Sequence, residues 1–300
     1  MLTSDRPAIG NSRLEKSLQK GACGLCHGRE HDLRLKFPDR QILRCRACGV
    51  IFSDLIWDPD RVRELYETPD FFGGDYWRWD GQSALDDLDA SAYKSALLAA
   101  KTSLGRTGRL LDVGCGLGGF LAQAQTMGFT VEGTDISEYT RSVIQQRLGL
   151  SIHVGELDSL GLANAHYDIV SSWDTLEHVV DPRALLQEMR RIIQPDGILV
   201  LRTINEETIL ASVANAFYRL GVHGPAVRMH EAYHLYYFTR PLLSQLLSEC
   251  GFVPLLRFDC EIDPERLGLG PIGRFAMVLT YKLQALFKRE FMQLVIAKAG

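Results

Sequence analysis

The sequence predicts an α/β fold, a doubly wound sheet preceded by a small cysteine-held module. Three observations predict it. Short apolar runs of strand length alternate with helix-period segments from residue 85 onward. One of these runs, Leu110 to Val113, passes directly into the glycine-rich stretch Gly114-Cys115-Gly116-Leu117-Gly118-Gly119 and then a helix start at Phe120-Leu121. Ahead of all this stand two C-x2-C pairs.

Composition sets the outer bounds. The 300 residues are 46% hydrophobic and 23% charged, which is ordinary for a soluble globular chain and enough for one α/β domain with an appendage. A net charge of -4 argues against a general nucleic-acid binder. The sequence contains no run of 18 apolar residues, and the stretch from Met1 to Pro7 lacks the apolar core of a signal peptide, so the expected location is cytoplasmic.

Residues 1–18 are mixed and polar and read as a poorly ordered leader. The segment 19–57 then holds Cys23, Cys26, Cys45 and Cys48, with 18 residues between the two pairs. That spacing suits a four-thiolate zinc ribbon, with Gly24 and Gly49 at tight knuckle turns and a connecting strand from Arg40 to Leu43. Four filled positions imply a structural ion, and so short a segment needs metal binding for its folding energy. His27 and His31 are expected to face solvent. A connector, 58–84, follows, and its aromatic run Phe71 to Trp79 suits either closure over a ligand or packing of the module on the main domain.

From 85 to 300 the chain reads as one domain. A helical pattern from Leu85 to Leu104 ends at Gly105. Strands are expected at Leu110 to Val113, Thr130 to Thr134, Ser151 to Val154, Asp168 to Ser171, Ile198 to Arg202, Val253 to Phe258 and Met292 to Ala297. Asp181-Pro182 supplies an N-cap and first-turn proline for a helix with Leu185, Leu186, Met189, Ile192 and Ile193 on one face, and Thr239 caps the helix before Gly251. Cys115, Cys250 and Cys260 read as small core fillers.

The glycine turn is built for close approach of a ligand to backbone amides at a helix start. Gly114, Gly116 and Gly119 also satisfy the dinucleotide spacing G-x-G-x-x-G, so the glycines alone do not name the ligand. Asp112 discriminates. A carboxylate at the end of the strand would repel a pyrophosphate and suit a ligand carrying an ammonium or sulfonium charge, as S-adenosylmethionine (SAM) does, which disfavours an NAD-dependent oxidoreductase. Asp135, ending the second strand, lies where a ribose diol would sit.

These residues resemble the class I SAM-dependent methyltransferases. The family's acid followed by Gly-x-Gly-x-Gly matches Asp112, Gly114, Gly116 and Gly118. Tyr167 to Val170 with the "EH" turn Trp173 to Val179, the fifth-strand segment Pro195 to Val200, and Tyr237 through Phe252 are similar to its later motifs. The resemblance implies a seven-stranded Rossmann-like sheet of order 3-2-1-4-5-7-6 with the seventh strand antiparallel. It also implies donor contacts from Asp112, Gly114, Gly116, Gly118, Asp135, Ile136, Glu156, Leu157 and Trp173. Methyltransferases with an N-terminal cysteine module of this kind are similar to sugar C-methyltransferases and to polysaccharide and natural-product enzymes, which makes a small-molecule or lipid-linked acceptor the expected partner. A noncatalytic SAM-binding or zinc-ribbon interaction protein is the alternative.

A base is needed only where the acceptor must lose a proton, and His178 and His234 are the first candidates, with His230 and Glu231 beside them. Residues 204–238 exceed an ordinary βα connection and suit an acceptor-side insertion, where Arg219, His223 and Arg228 either meet an anionic group or stay solvated. A second insertion, 265–290, contains the apolar, basic stretch 271–289. It suits contact with an anionic membrane surface, packing on the sheet, or pairing with a second subunit in a homodimer.

Overall fold

The computed structural model describes residues 22–55, 59–67, 87–261, 271–287 and 289–300. The leader and the aromatic run Phe71 to Trp79 lie outside the described residues.

The cysteine module comes first, as β1 (His31–Lys36), β2 (Gln41–Cys45) and β3 (Ile51–Ser53), an antiparallel meander. Helix α1 (Pro59–Tyr66) follows, then α2 (Asp87–Leu104). The main domain alternates β4 (Arg109–Val113), α3 (Gly119–Thr126), β5 (Thr130–Asp135), α4 (Glu138–Leu148), β6 (His153–Val154), β7 (Tyr167–Trp173), α5 (Pro182–Ile192) and β8 (Ile193–Ile204). The chain then runs through α6 (Ile209–Arg219), α7 (Gly224–Met229), β9 (Tyr236–Tyr237), α8 (Arg240–Glu249), β10 (Phe252–Cys260), α9 (Pro271–Phe287) and β11 (Met292–Ala299).

Seven strands form one sheet in the order β10-β11-β8-β7-β4-β5-β6. Numbered within the sheet, this is the 3-2-1-4-5-7-6 order. β11 pairs antiparallel with both β8 and β10, while β4 to β8 pair in parallel. Parallel strands covered on both faces read as unbroken apolar runs because every side chain meets a core. Leu111, Val113, Val170, Leu199 and Leu201 pack under α5 and α8, while Leu110, Ile169, Ile198 and Val200 pack under α2 and α3.

Strand bounds depart from expectation where tertiary pairing, not local pattern, sets them. The third strand shrinks to His153–Val154, which touches only the end of β5. The fifth lengthens to Ile193–Ile204, since the Pro195-Asp196-Gly197 bend is carried within the strand by an irregularity in its pairing with β7. The caps fall as read: Asp181 accepts from the Ala184 amide at 2.9 Å and Thr239 from the Leu242 amide at 3.4 Å.

The module is not a free appendage. β3 pairs with β9, so a four-stranded sheet β1-β2-β3-β9 joins it to the main domain. Its buried Cys23, Leu25, Cys45, Val50 and Phe52 share one apolar cluster with the sheet and with Tyr236 and Phe238. Gly24 owes its identity to this docking more than to a knuckle turn: a Cβ there would stand 1.9 Å from the Tyr236 hydroxyl. Gly49 does take the left-handed conformation, φ 78°. His27 is exposed as expected, whereas His31 packs edge-on against Phe52 with 5.0 Å between ring centroids and binds the Gly28 carbonyl.

Candidate functional site

Ligands of open α/β sheets bind beyond the carboxyl ends of the strands where strand order reverses, which here is the edge shared by β4 and β7. The glycine turn lies there. Gly114 adopts φ 71° and Gly116 φ 50°, and a Cβ on Gly114 would reach to 2.3 Å from Thr175 Oγ1, so the turn and the loop after β7 touch only because this residue is glycine. The Gly114 and Cys115 amides both donate to the Thr134 carbonyl at 2.9 Å, locking the turn onto the end of β5. Gly118, φ 82°, caps α3 without any side-chain hydrogen bond, leaving the first helical amides open to a ligand.

Two buried carboxylates flank this turn. Asp112 accepts from Ser171 Oγ at 2.7 Å, and burial, reinforced by the Asp135 charge, pushes its pKa up to about 7. Asp135 accepts from the Gly116 amide at 3.0 Å and the Ser137 amide at 3.1 Å, and burial pushes it up to about 6 despite those bonds. Two desolvated acids at one helix start gain from a cationic ligand and lose from a pyrophosphate. The donor set therefore fits SAM.

The other expected donor residues spread along the same edge. Ile136 is partly buried after Asp135, Leu157 is buried in the 3₁₀ turn Leu157–Ser159, and Glu156 is exposed just before it. Trp173 packs in an aromatic cluster, 4.5 Å from the Tyr93 ring and 4.9 Å from Phe120, with the Arg202 guanidinium over its face. Its indole nitrogen is buried without a partner. Sequence reading missed what sits over Asp135. The Ser137 hydroxyl donates to the Tyr66 carbonyl, and the Glu67 carboxylate accepts from the Glu138 and Tyr139 amides at 2.8 and 3.0 Å, so the end of α1 caps α4.

Beyond β7 the chain turns on Asp174, held at φ 53° by a bidentate pair with Arg202, whose guanidinium also meets Asp89 at 2.5 Å. Such a strained residue at the mouth of a site is held there by its surroundings. The turn delivers Glu177 and His178. The Glu177 carbonyl accepts from the Leu235 and Tyr236 amides, and the Leu235 carbonyl accepts from Ser53, so β9 and the cysteine module brace this turn. His178 and His234, far apart in sequence, come together with ring centroids 4.8 Å apart. His178 Nδ1 lies 3.0 Å from the Tyr233 carbonyl. Loss of water lowers the pKa of both imidazoles, in His234 well below the ordinary value, which keeps both neutral near pH 7.

His230 and Glu231 go elsewhere. His230 is buried, 3.5 Å from Glu206, and its carbonyl accepts from Arg40 of the cysteine module. Glu231 is held nearby, with its pKa raised by burial and tempered by Arg40. Arg219 on α6, His223 just before α7 and Arg228 on α7 are exposed.

The four cysteine sulfurs cluster with Cys23 to Cys48 at 3.7 Å and Cys26 to Cys45 at 3.5 Å. Zn–S bonds of about 2.3 Å place tetrahedral sulfurs about 3.8 Å apart, so the set fits a four-thiolate ion.

The fold is that of the class I SAM-dependent methyltransferases. The methyltransferase domain family matches residues 87–256, more than half of the chain, and the protein belongs to that family. The ubiquinone biosynthesis O-methyltransferase of Thiobacillus denitrificans (strain ATCC 25259 / T1) is 36% identical over 121 residues, covering 37% of this chain and 52% of that protein. That of Pseudomonas putida (strain W619) is 30% identical over 152 residues, 47% of this chain and 65% of the relative. The chain thus spans about half the length of the curated relatives it matches. Among solved structures, magnesium protoporphyrin IX methyltransferase from Synechocystis PCC 6803 with bound SAH aligns at TM-score 0.56 and 20% identity, covering 81% of this chain and 100% of that one. Geranyl diphosphate C-methyltransferase from Streptomyces coelicolor A3(2) aligns at 0.52 and 17% identity, covering 81% and 98%. Both likenesses are of fold.

Proposed function

We propose that this protein transfers a methyl group from SAM to a small-molecule or lipid-linked acceptor held between the glycine turn and the segment 204–238. The observation that carries this reading is the meeting of three parts at one sheet edge: the buried acids Asp112 and Asp135, the glycine turn, and the imidazole pair His178 and His234. Asp112, Gly114, Gly116 and Gly118 would hold the methionine part of the donor, and Asp135 with Ile136, Glu156 and Leu157 the nucleoside. Bound SAM supplies an electrophilic methyl. The chain's own work is to align the acceptor atom with it and exclude water. A neutral imidazole at His178 or His234 suits proton removal from an acceptor hydroxyl. Cys23, Cys26, Cys45 and Cys48 would hold a structural zinc ion that fixes β3, and through it β9 and the turn at Glu177.

The acceptor side supports a lipophilic or lipid-linked substrate. α9 leaves Leu279, Leu283, Leu286 and Phe287 exposed around Lys282, and α6 and the turn after it expose Phe217, Leu220 and Val222 beside Arg219. An apolar and basic surface of this kind suits an anionic membrane surface; no described helix is long and apolar enough to cross one. The names of the relatives add an O-methylated quinone precursor to sugar, polysaccharide and natural-product acceptors as classes to try.

The test is transfer of labelled methyl from SAM to panels of quinone-precursor, sugar-nucleotide and lipid-linked acceptors. Turnover that falls at least 100-fold in His178→Ala and His234→Ala is expected. Tight SAM binding without turnover on any class would favour a noncatalytic SAM-binding module.

A further inference from the structure

We infer that Glu177, His178 and His234 form a second metal site, distinct from the cysteine cluster, that takes a divalent transition-metal ion. One ligand atom from each of the three residues lies within 4.8 Å of the other two. Glu177 and His234 are buried, and His178 partly so.

The hydrogen bonds around the cluster are those of ligands waiting for an ion. Glu177 Oε2 accepts from Thr203 Oγ1 at 2.8 Å, while Oε1 is buried with no partner. His234 Nδ1 is likewise buried with no partner. Two buried, unpartnered polar atoms in one three-residue cluster argue for a missing common partner. His178 is oriented in the complementary way. Its Nδ1–H donates to the Tyr233 carbonyl at 3.0 Å, which leaves the Nε2 lone pair free. An outer hydrogen bond on one ring nitrogen, and another on the second carboxylate oxygen, is how metal-binding histidines and carboxylates are held.

Donor chemistry selects the ion. Two imidazole nitrogens and one carboxylate oxygen suit zinc, manganese, ferrous iron, cobalt or nickel; magnesium and calcium prefer all-oxygen sites. Bonds of about 2.0–2.2 Å bring ligand atoms to about 3–3.5 Å, so ion binding would draw together whichever of the three atoms stand farther apart than that. Of the three side chains only His178 is partly exposed, which leaves it the most room to adjust. Three protein ligands leave open positions, and Thr175, two residues before Glu177, touches Gly114 of the donor turn. On the methyl-transfer reading, which this extension rests on, an ion there would occupy both imidazole lone pairs and, in place of a free imidazole base, would bind an acceptor oxygen and favour its anion; the binding claim itself is independent of that reading.

The test uses the full chain with its cysteine site loaded with zinc, titrated with Co2+ alone. The expected result is one further equivalent bound, with visible d–d absorption and no thiolate charge-transfer band. His178→Ala and Glu177→Gln should each weaken it at least tenfold, and Thr203→Val, acting through the outer hydrogen bond, by about 10-fold. SAM binding and thermal midpoint report that each variant is folded; His178, partly exposed, is the variant least prone to misfold. Binding of no ion beyond the cysteine site, or cobalt binding indifferent to both His178→Ala and Glu177→Gln, would overturn the site while leaving SAM binding, and so the functional proposal, standing.

Discussion

Asp112 is the residue on which the donor reading turns, because its carboxylate is buried beside the glycine turn and titrates near neutrality. Its pKa is raised to about 7, so the folded protein holds it charged above that pH and neutral below. A cationic ligand gains from the charged form only. The SAM association constant is therefore expected to fall about tenfold between pH 8 and pH 6, since each pH unit below such a pKa costs up to tenfold. Asp112→Asn should flatten the profile. Calorimetry at several pH values checks this, and a flat wild-type profile would remove Asp112 from the donor contacts. Asp112, Asp135 and the glycines were legible in the sequence, since strand, turn and acid are contiguous. Their distant neighbours were not: Ser171 reaches Asp112 only across the folded sheet, and Tyr66 reaches Ser137, beside Asp135, from α1. His178 and His234 were readable as two separate base candidates, but not as a pair, because 55 residues of chain separate their loops and the Leu235 and Tyr236 amides, bonded to the Glu177 carbonyl, close the gap.

At the scale of elements, local pattern specified what local forces hold. Caps at Asp181 and Thr239 and the apolar runs of β4, β5 and β7 follow from side chains close in sequence. What escaped was contributed from a distance. Glu67 caps α4 from 71 residues away in sequence, and the buried Arg202 bridges Asp89 and Asp174 from β8. Nothing in the periodicity around Arg202 or Glu67 marks either partner. Glu67→Ala is expected to cost about 1 kcal/mol, the usual loss for an N-terminal cap, and to weaken SAM binding several-fold by freeing the segment at Ser137. Denaturant unfolding and calorimetry read the two effects; unchanged values in both would show that α1 contributes nothing to the donor site.

The whole molecule couples the four-cysteine module to β9 and the turn at Glu177. The 3-2-1-4-5-7-6 order was legible as a family resemblance, whereas the use of Tyr236–Tyr237 as a fourth strand of the module was not, because a two-residue strand has no periodicity. That pairing would make a zinc ion at the four cysteines a support for Glu177 and His234. With the four cysteines loaded with zinc, removing the ion by chelation should raise amide exchange together at 51–53 and 235–238 while β4 and β7 stay protected. Hydrogen-exchange mass spectrometry measures this, and protection at 235–238 that survives chelation would show the module to be energetically separate. The central claim, that the glycine turn binds a SAM-type nucleoside, is tested most directly by calorimetric titration with SAM, S-adenosylhomocysteine and NAD, using Asp135→Ala as control. Saturation near one equivalent by SAM or its product, none by NAD and at least tenfold weaker affinity in the variant is the predicted result; binding of NAD, or of none of the three, would contradict it.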